Sequence, residues 1–368
     1  MAVIGIDGRA LDMERTGIGR YLENLLREWG RAPRGHAFRV YTTQPQVLEV
    51  ENRVVTFTSP TQADLFSDEL ARAPVDGFFS PFYELPDSVT CPSVITVHDL
   101  VHEATPEAFT PFQLSWLRAR HEICLPRATA ILTDSRFARD EIAARFPTLT
   151  DRLSVVPLAA DPRFTPAITE AHRAADRAVV AATLPELAPP YLLYVGAISG
   201  KRHIPSLLQA LSGCKRLADT RLCLVGRDYH VVAGTLEQAL AAARPGQVVH
   251  RPHVSNEVLV ALYREALGFV YLSTYEGFGM PPLEAMACAT PVLTTRSASL
   301  PEVTGGTALT VDDPSDVQAL QDALEALIDA ETRDDRRARG VRQAARFSWT
   351  ATATATLDAI EGAMRLRA

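Results

Sequence analysis

Short apolar runs, each of a length for one buried strand, recur between amphipathic stretches, and this alternation restricts the fold more than any other feature. The runs cover residues 2–6, 38–41, 77–79, 93–97, 130–133 and 153–156, then 191–195, 221–225, 247–249, 267–272 and 291–294. Strands buried on both faces and joined by crossover helices make parallel sheets. The pattern therefore predicts an α/β architecture in each of two series. At 368 residues the chain exceeds what one core usually organises. A break is expected at residues 161–190, where Pro162, Pro166, Pro185, Pro189 and Pro190 bracket a charge-mixed helical segment. The expected domains are 1–175 and 176–346.

Composition excludes several classes of protein. A net charge of -7 argues against a surface built as a whole to hold nucleic acid, so any bound anion must be met by a local basic group. The five cysteines are widely spaced without a CxxC pair, which fits reduced thiols in a cytoplasm rather than a disulfide frame or a zinc site. The first apolar run is broken by Asp7 and Arg9 and reads as a strand, not a signal peptide. No run approaches the roughly 18 apolar residues that span a bilayer.

The most informative segment is YEGFGMPPLEAMACATPV, residues 275–292, directly after the strand-like LGFVYLS. Gly277 and Gly279 let the backbone approach a ligand, and Pro281 and Pro282 preset the first turn of a helix. Exposed amides and the positive dipole end there can hold a diphosphate or sugar hydroxyls. Glu276 precedes this turn and Glu284 lies within it, so both carboxylates can reach one bound polyol. For an isolated EGFG, a plain turn with Glu284 supporting the helix dipole is an equal reading.

The whole string resembles the paired-glutamate signature of the retaining glycosyltransferases of family 4. The resemblance extends through DGRAL (7–11), TGIGRY (16–21), TVHD (96–99), DSRF (134–137), VVPLAAD (155–161), YVG (194–196), LVG (224–226), SLPEV (299–303) and FSW (347–349), in order. It implies the GT-B fold: two facing Rossmann-like domains with parallel sheets, and a C-terminal helix, residues 347–368, crossing back to the first. It further implies an acceptor domain followed by a nucleotide-sugar donor domain, retention of anomeric configuration, and no metal or other cofactor. Two departures stand out: Ala159 and Ala160 where one glycine is common, and Ala289 where glycine is usual.

Within that frame Lys201 and Arg202, just beyond a strand, are assigned to the leaving diphosphate, although relatives carry the pair in the order Arg-Lys. His98 resembles the histidine beside the donor sugar, with Asp99 as a cap of the following turn. Gly17 and Gly19 lie where backbone amides can approach a phosphate or sugar. Gly226 and Val254 fall around the nucleobase; Phe278 and Met280 supply amides to the sugar, and Glu284 holds the ribose. Asp134 and Ser135 either line the cleft or cap a helix. His102, His121 and His253 lack support as catalysts, and no set has metal-ligand spacing.

The expected activity is transfer of a hexose, with mannose from GDP-mannose as the first choice, to a saccharide or lipid-linked saccharide. Substitution of Glu276, Lys201 or Arg202 is expected to remove turnover and leave the fold intact. Peripheral contact with the inner membrane leaflet through Trp116, Leu117, Arg118 and Arg120 stands beside a plain core-and-solvent reading of that helix. A nicotinamide dehydrogenase would need GxGxxG and an acidic residue about 20 positions on, and the third glycine position is Leu22. A non-catalytic nucleotide-sugar scaffold of the same fold is the alternative.

Overall fold

The apolar runs become parallel strands in a computed structural model that describes residues 1–12, 17–48, 50–54, 66–187, 189–228 and 235–366. Thr16 of the TGIGRY motif, and Arg367 and Ala368 of the expected terminal helix, lie outside the described residues. The chain divides into two compact units, residues 1–158 with 348–368, and residues 159–347.

In the first unit seven strands form a sheet in the order β3-β2-β1-β4-β5-β6-β7: β1 (Val3–Asp7), β2 (Ala37–Thr42), β3 (Glu51–Val54), β4 (Gly77–Ser80), β5 (Ser93–Thr96), β6 (Ala130–Thr133) and β7 (Leu153–Val155). All pairings are parallel, with Ile4 opposite Phe38 on one side and Gly77 on the other. β4 and β5 are buried at every residue, as a central parallel strand requires. Connections are made by α1 (Gly17–Arg31), α2 (Ser67–Arg72), α3 (Val101–Ala104), α4 (Pro111–Arg127) and α5 (Arg136–Arg145). α1 buries Tyr21, Leu22, Leu25, Leu26 and Trp29 along one stripe, where Trp29 stacks on Phe38 at 5.2 Å. α4 starts on a capping box between Thr110 and Gln113, with proline in its first turn.

The second unit holds six parallel strands in the order β10-β9-β8-β11-β12-β13: β8 (Tyr191–Val195), β9 (Arg221–Val225), β10 (Val248–Arg251), β11 (Gly268–Tyr271), β12 (Val292–Thr295) and β13 (Leu309–Val311). Its helices are α6 (Glu170–Thr183), α7 (Ile204–Gly213), α8 (Thr235–Ala242), α9 (Asn256–Glu265), α10 (Met280–Ala287), α11 (Leu300–Thr304), α12 (Val317–Leu327) and α13 (Ala330–Ala344). In each unit the first strand sits inside the sheet, with its successors on one side and the fourth strand on the other. That is the dinucleotide-fold order.

The last helix, α14 (Trp349–Arg365), belongs to the first unit. The indole Nε1 of Trp29 donates to the carbonyl of Ala353 at 3.0 Å, and Thr352 Oγ1 donates to the carbonyl of Pro157 at 2.7 Å. No helix among the described residues is long and apolar enough to cross a membrane.

The structure differs from the sequence reading at the proline-bracketed segment 161–190. The chain divides between residues 158 and 159 rather than at 175, because α6 packs on α9 as part of the second unit. Arg264 of α9 donates to the Thr165 carbonyl at 2.6 Å and to its Oγ1 at 2.9 Å, and the Phe164 ring meets Tyr263 edge-on at 5.7 Å. The prolines shape a packed entry to α6.

Candidate active site

β8 and β11 are neighbours in the second sheet, yet the chain leaves them in opposite directions, so a crevice opens beyond their carboxyl ends. Lys201 and Arg202 follow β8 on the short turn Gly200–Arg202, and Glu276 follows β11. The fold thus brings together residues 74 positions apart. Arg202 is buried, its guanidinium 4.5 Å above the Tyr271 ring and paired with Glu276 Oε1. Burial opposes its charge, but Tyr271 and Glu276 more than restore it, and its pKa lies above the ordinary arginine value.

Lys201 is more exposed. Its Nζ donates to the Tyr275 carbonyl at 3.0 Å and lies 3.7 Å from Glu276 Oε1. The same carboxylate oxygen accepts from Ser273 Oγ at 2.5 Å. Below the loop, the Ser299 hydroxyl lies 2.8 Å from the Glu276 carbonyl and 2.5 Å from that of Phe278. Two cations therefore share one carboxylate oxygen. Ser273 and Ser299 were not singled out from sequence. Short polar residues beside a glycine loop carry no distinguishing signal until the loop is folded.

Gly277, Phe278 and Gly279 lead into α10. Gly279 has φ +116°, and a Cβ there would come within 2.9 Å of Leu300 Cδ2. Met280, Pro281 and Pro282 form the first turn, in which the Met280 N–H has no intrahelical acceptor and the two prolines carry no N–H. Glu284 is buried on the same helix and accepts a hydrogen bond from the Tyr263 hydroxyl at 3.1 Å; that phenol is held well above its ordinary pKa by burial and then by the carboxylate.

Gly226 closes β9 at φ +154°, and its carbonyl lies 2.8 Å from His250 Nε2. A Cβ there would sit 1.8 Å from the Gly196 carbonyl oxygen. Val254 is buried in the loop between β10 and α9, just before the Ser255 cap.

In the first unit Gly17 and Gly19 occupy the first turn of α1, beyond β1. Space does not demand glycine at Gly17, where a Cβ would meet nothing within 4 Å. Two residues after Gly19, the buried Tyr21 ring meets His98 edge-on at 5.3 Å. His98 lies beyond β5, with Nδ1 2.6 Å from Asp134 Oδ2 and Nε2 2.9 Å from the Pro81 carbonyl. Burial would lower its pKa; the charge and hydrogen bond of Asp134 and the Pro81 carbonyl outweigh that and raise it. Both ring nitrogens face acceptors, so the imidazolium satisfies both. The open choice at residues 134 and 135 resolves by role: Ser135 caps α5 by accepting from Ala138 N at 3.0 Å, and Asp134 holds His98.

Asp99 accepts from Val101 N at 3.0 Å, the expected turn cap. His121 instead stacks on Tyr83 at 4.4 Å, with burial lowering its pKa to about 4. Among the described residues no three His, Cys, Asp or Glu side chains are grouped to hold a metal ion.

Residues 179–346 match the family described as glycosyl transferases group 1. The chain is 34% identical over 271 residues to the O-antigen chain mannosyltransferase B of Escherichia coli, covering 73% of this chain and 69% of that one. It is 30% identical over 289 residues to the serotype-specific mannosyltransferase WbdA of Escherichia coli, covering 76% of this chain but only 34% of that longer protein. Among solved structures, Anabaena Alr3699/HepE in complex with UDP-glucose superposes with a TM-score of 0.76 at 14% identity, covering 98% of this chain and 99% of that one. The paired dinucleotide-type sheets, the crevice cluster and these likenesses agree: the chain belongs to the group 1 glycosyl transferases and has the GT-B fold.

Proposed function

We propose that the protein is a retaining hexosyltransferase that moves mannose from GDP-mannose to a saccharide or lipid-linked saccharide, without a metal ion or other cofactor. The observation that carries this reading is the meeting of Lys201, Arg202 and Glu276 at the joint of β8 and β11. In this reading the donor diphosphate lies against the two cations. As the bond from the sugar C1 to the phosphate oxygen breaks, negative charge gathers on the diphosphate and Lys201 neutralises it. Arg202, committed to Tyr271 and Glu276, fixes the carboxylate and reinforces the field from behind. The acceptor oxygen attacks from the same face and passes its proton to the leaving phosphate.

Glu276 with the amides of Phe278, Gly279 and Met280 is assigned to the sugar, Glu284 to the ribose, and Gly226 and Val254 to the base. His98, with the first-turn amides at Gly17 and Gly19, is assigned to the transferred group. Mannose is favoured by relatives that are named mannosyltransferases.

A reducing, cytoplasmic setting fits the five cysteines, none of them in a disulfide among the described residues. Peripheral membrane contact has support in α4, where Phe112, Trp116 and Ile123 are exposed along one stripe while His121, Cys124 and Leu125 are buried.

The test is thermal unfolding with GDP, UDP, ADP, TDP or CMP and no added metal, followed by turnover of GDP-mannose with the product linkage read by NMR. A selective rise with GDP, lost in Lys201→Ala, and transfer with retained configuration in the presence of a chelator support the proposal. A rise with UDP alone moves the donor to a uridine sugar. Binding with neither transfer nor hydrolysis makes the protein a scaffold.

A further inference from the structure

The second unit carries another basic pocket, at the opposite end of α10 from the crevice. α10 leaves Gly279 at the crevice and reaches Cys288 at this pocket, a run of about 12 Å for eight helical residues. The cavity measures about 180 Å³ and draws on the loop at Pro166, the face of α6, the last turn of α9 and the middle of α13. Its wall holds four guanidiniums, Arg173, Arg177, Arg264 and Arg337, against one carboxylate, Glu265. The carbonyl ends of α9 and α10 add about half a negative charge each, and the Glu170, Asp176 and Asp334 carboxylates pair with Arg177, Arg264 and Arg337 from outside the lining.

Three of the ion pairs that the wall arginines make are loose. Arg264 lies 3.4 Å from Asp176, Arg337 3.6 Å from Asp334 and Arg177 3.8 Å from Glu265, beyond the distances of a charge-assisted fork. The tight contact of Arg177, 2.6 Å to Glu170, is made at the exposed surface. Arg337 Nε and the neighbouring Arg333 Nε are buried with no partner among the described residues. Burial, and then the like charges of Arg333 and Arg173, hold Arg337 below its ordinary pKa. Such a cluster is under mutual repulsion that a compact polyvalent anion relieves, and planar guanidinium forks match tetrahedral oxyanions in pairs.

We propose that this pocket binds a phosphate group, as a site separate from the donor crevice. The shared chemistry is a phosphomonoester dianion, carried either by a small soluble molecule or by a lipid headgroup. Arg173 and Arg337 grip it from α6 and α13, and Arg177 and Arg264 set the floor.

Thermal unfolding of the full chain in inorganic phosphate, against chloride at equal ionic strength, tests this. A saturable rise of roughly 2–4 °C is expected for the wild type. Lys201→Ala should keep the rise, since it alters only the crevice. Arg173→Gln/Arg337→Gln should lose it. Arg173→Glu, a change at an exposed position that leaves the packing of α13 untouched, should lose it as well. Sedimentation with phosphatidic acid vesicles, against phosphatidylcholine alone, separates the sources: capture of wild type but not Arg173→Glu identifies a lipid headgroup, and a phosphate rise without capture identifies a soluble ligand. No rise in the wild type, a rise kept in full by both arginine variants, or one lost in Lys201→Ala overturns the proposal.

Discussion

Nδ1 of His98 lies 2.6 Å from Oδ2 of Asp134, a buried carboxylate whose other oxygen has no partner among the described residues. The imidazole is also fixed at Nε2 by the Pro81 carbonyl, so its ring plane and charge are set before any ligand arrives.

Asp134→Asn keeps the shape and removes the charge. The His98 pKa should fall, and folding stability at pH 6 should drop by about 1–3 kcal/mol, the usual cost of weakening a buried charged hydrogen bond. Because the folded-state pKa of His98 is raised, its contribution is complete below the unfolded value of about 6.5 and is lost as pH rises through the folded value. The difference between wild type and variant should therefore shrink between pH 6 and pH 9. Denaturant unfolding across that range, with an NMR titration of the ring, checks both parts.

Lys201 and Arg202 should separate in their effects. Lys201→Ala removes a partly exposed cation and should cost about 3 kcal/mol of transition-state stabilisation, roughly a hundredfold in turnover, with little change in Tm. Arg202→Ala strips the partner from Glu276 and empties the space over Tyr271, and should cost about 3–5 kcal/mol of stability as well. Burial thus revises the expectation that both variants leave the fold intact. Calorimetry beside initial rates distinguishes them.

Gly226→Ala drives a methyl into the Gly196 carbonyl at 1.8 Å, in backbone that side chains rarely adopt. The turns after β8 and β9 must move apart, and we expect a loss above about 2 kcal/mol in denaturant unfolding. An unchanged midpoint would show that the two turns yield freely.

Ala289→Gly should act in the opposite direction. Ala289 has φ +61°, a left-handed conformation that an L side chain holds at a cost of about 1–2 kcal/mol. Glycine relieves that strain but adds freedom to the unfolded chain, so the net gain should be about 0.5–1 kcal/mol. A matched pair of thermal unfolding curves measures it.

The central strands were legible because burial on both faces demands unbroken apolar runs: 130–133, 191–195 and 221–225 fall on β6, β8 and β9 with the same ends. β3 and β13 were missed. Both are sheet edges, and a strand such as ENRV needs no apolar residue on each face to pair on one side. The glycine, proline and charged residues of the crevice also stood out, since strand-to-helix turns leave such marks. What could not be read was the pairing of Arg202 with Glu276 and of His98 with Asp134. Each joins residues on separate strand ends, and only the strand order makes them neighbours.

The return of α14 to the first sheet has a consequence for the order in which the protein is made. The indole of Trp29 finds its acceptor 324 residues later, at Ala353. A ribosome delivers the whole of residues 159–347 before that partner exists. The second unit is continuous in sequence and can close as soon as it emerges. The first must wait with Trp29 and Tyr21 uncovered, so the half that is translated first is the half that is finished last.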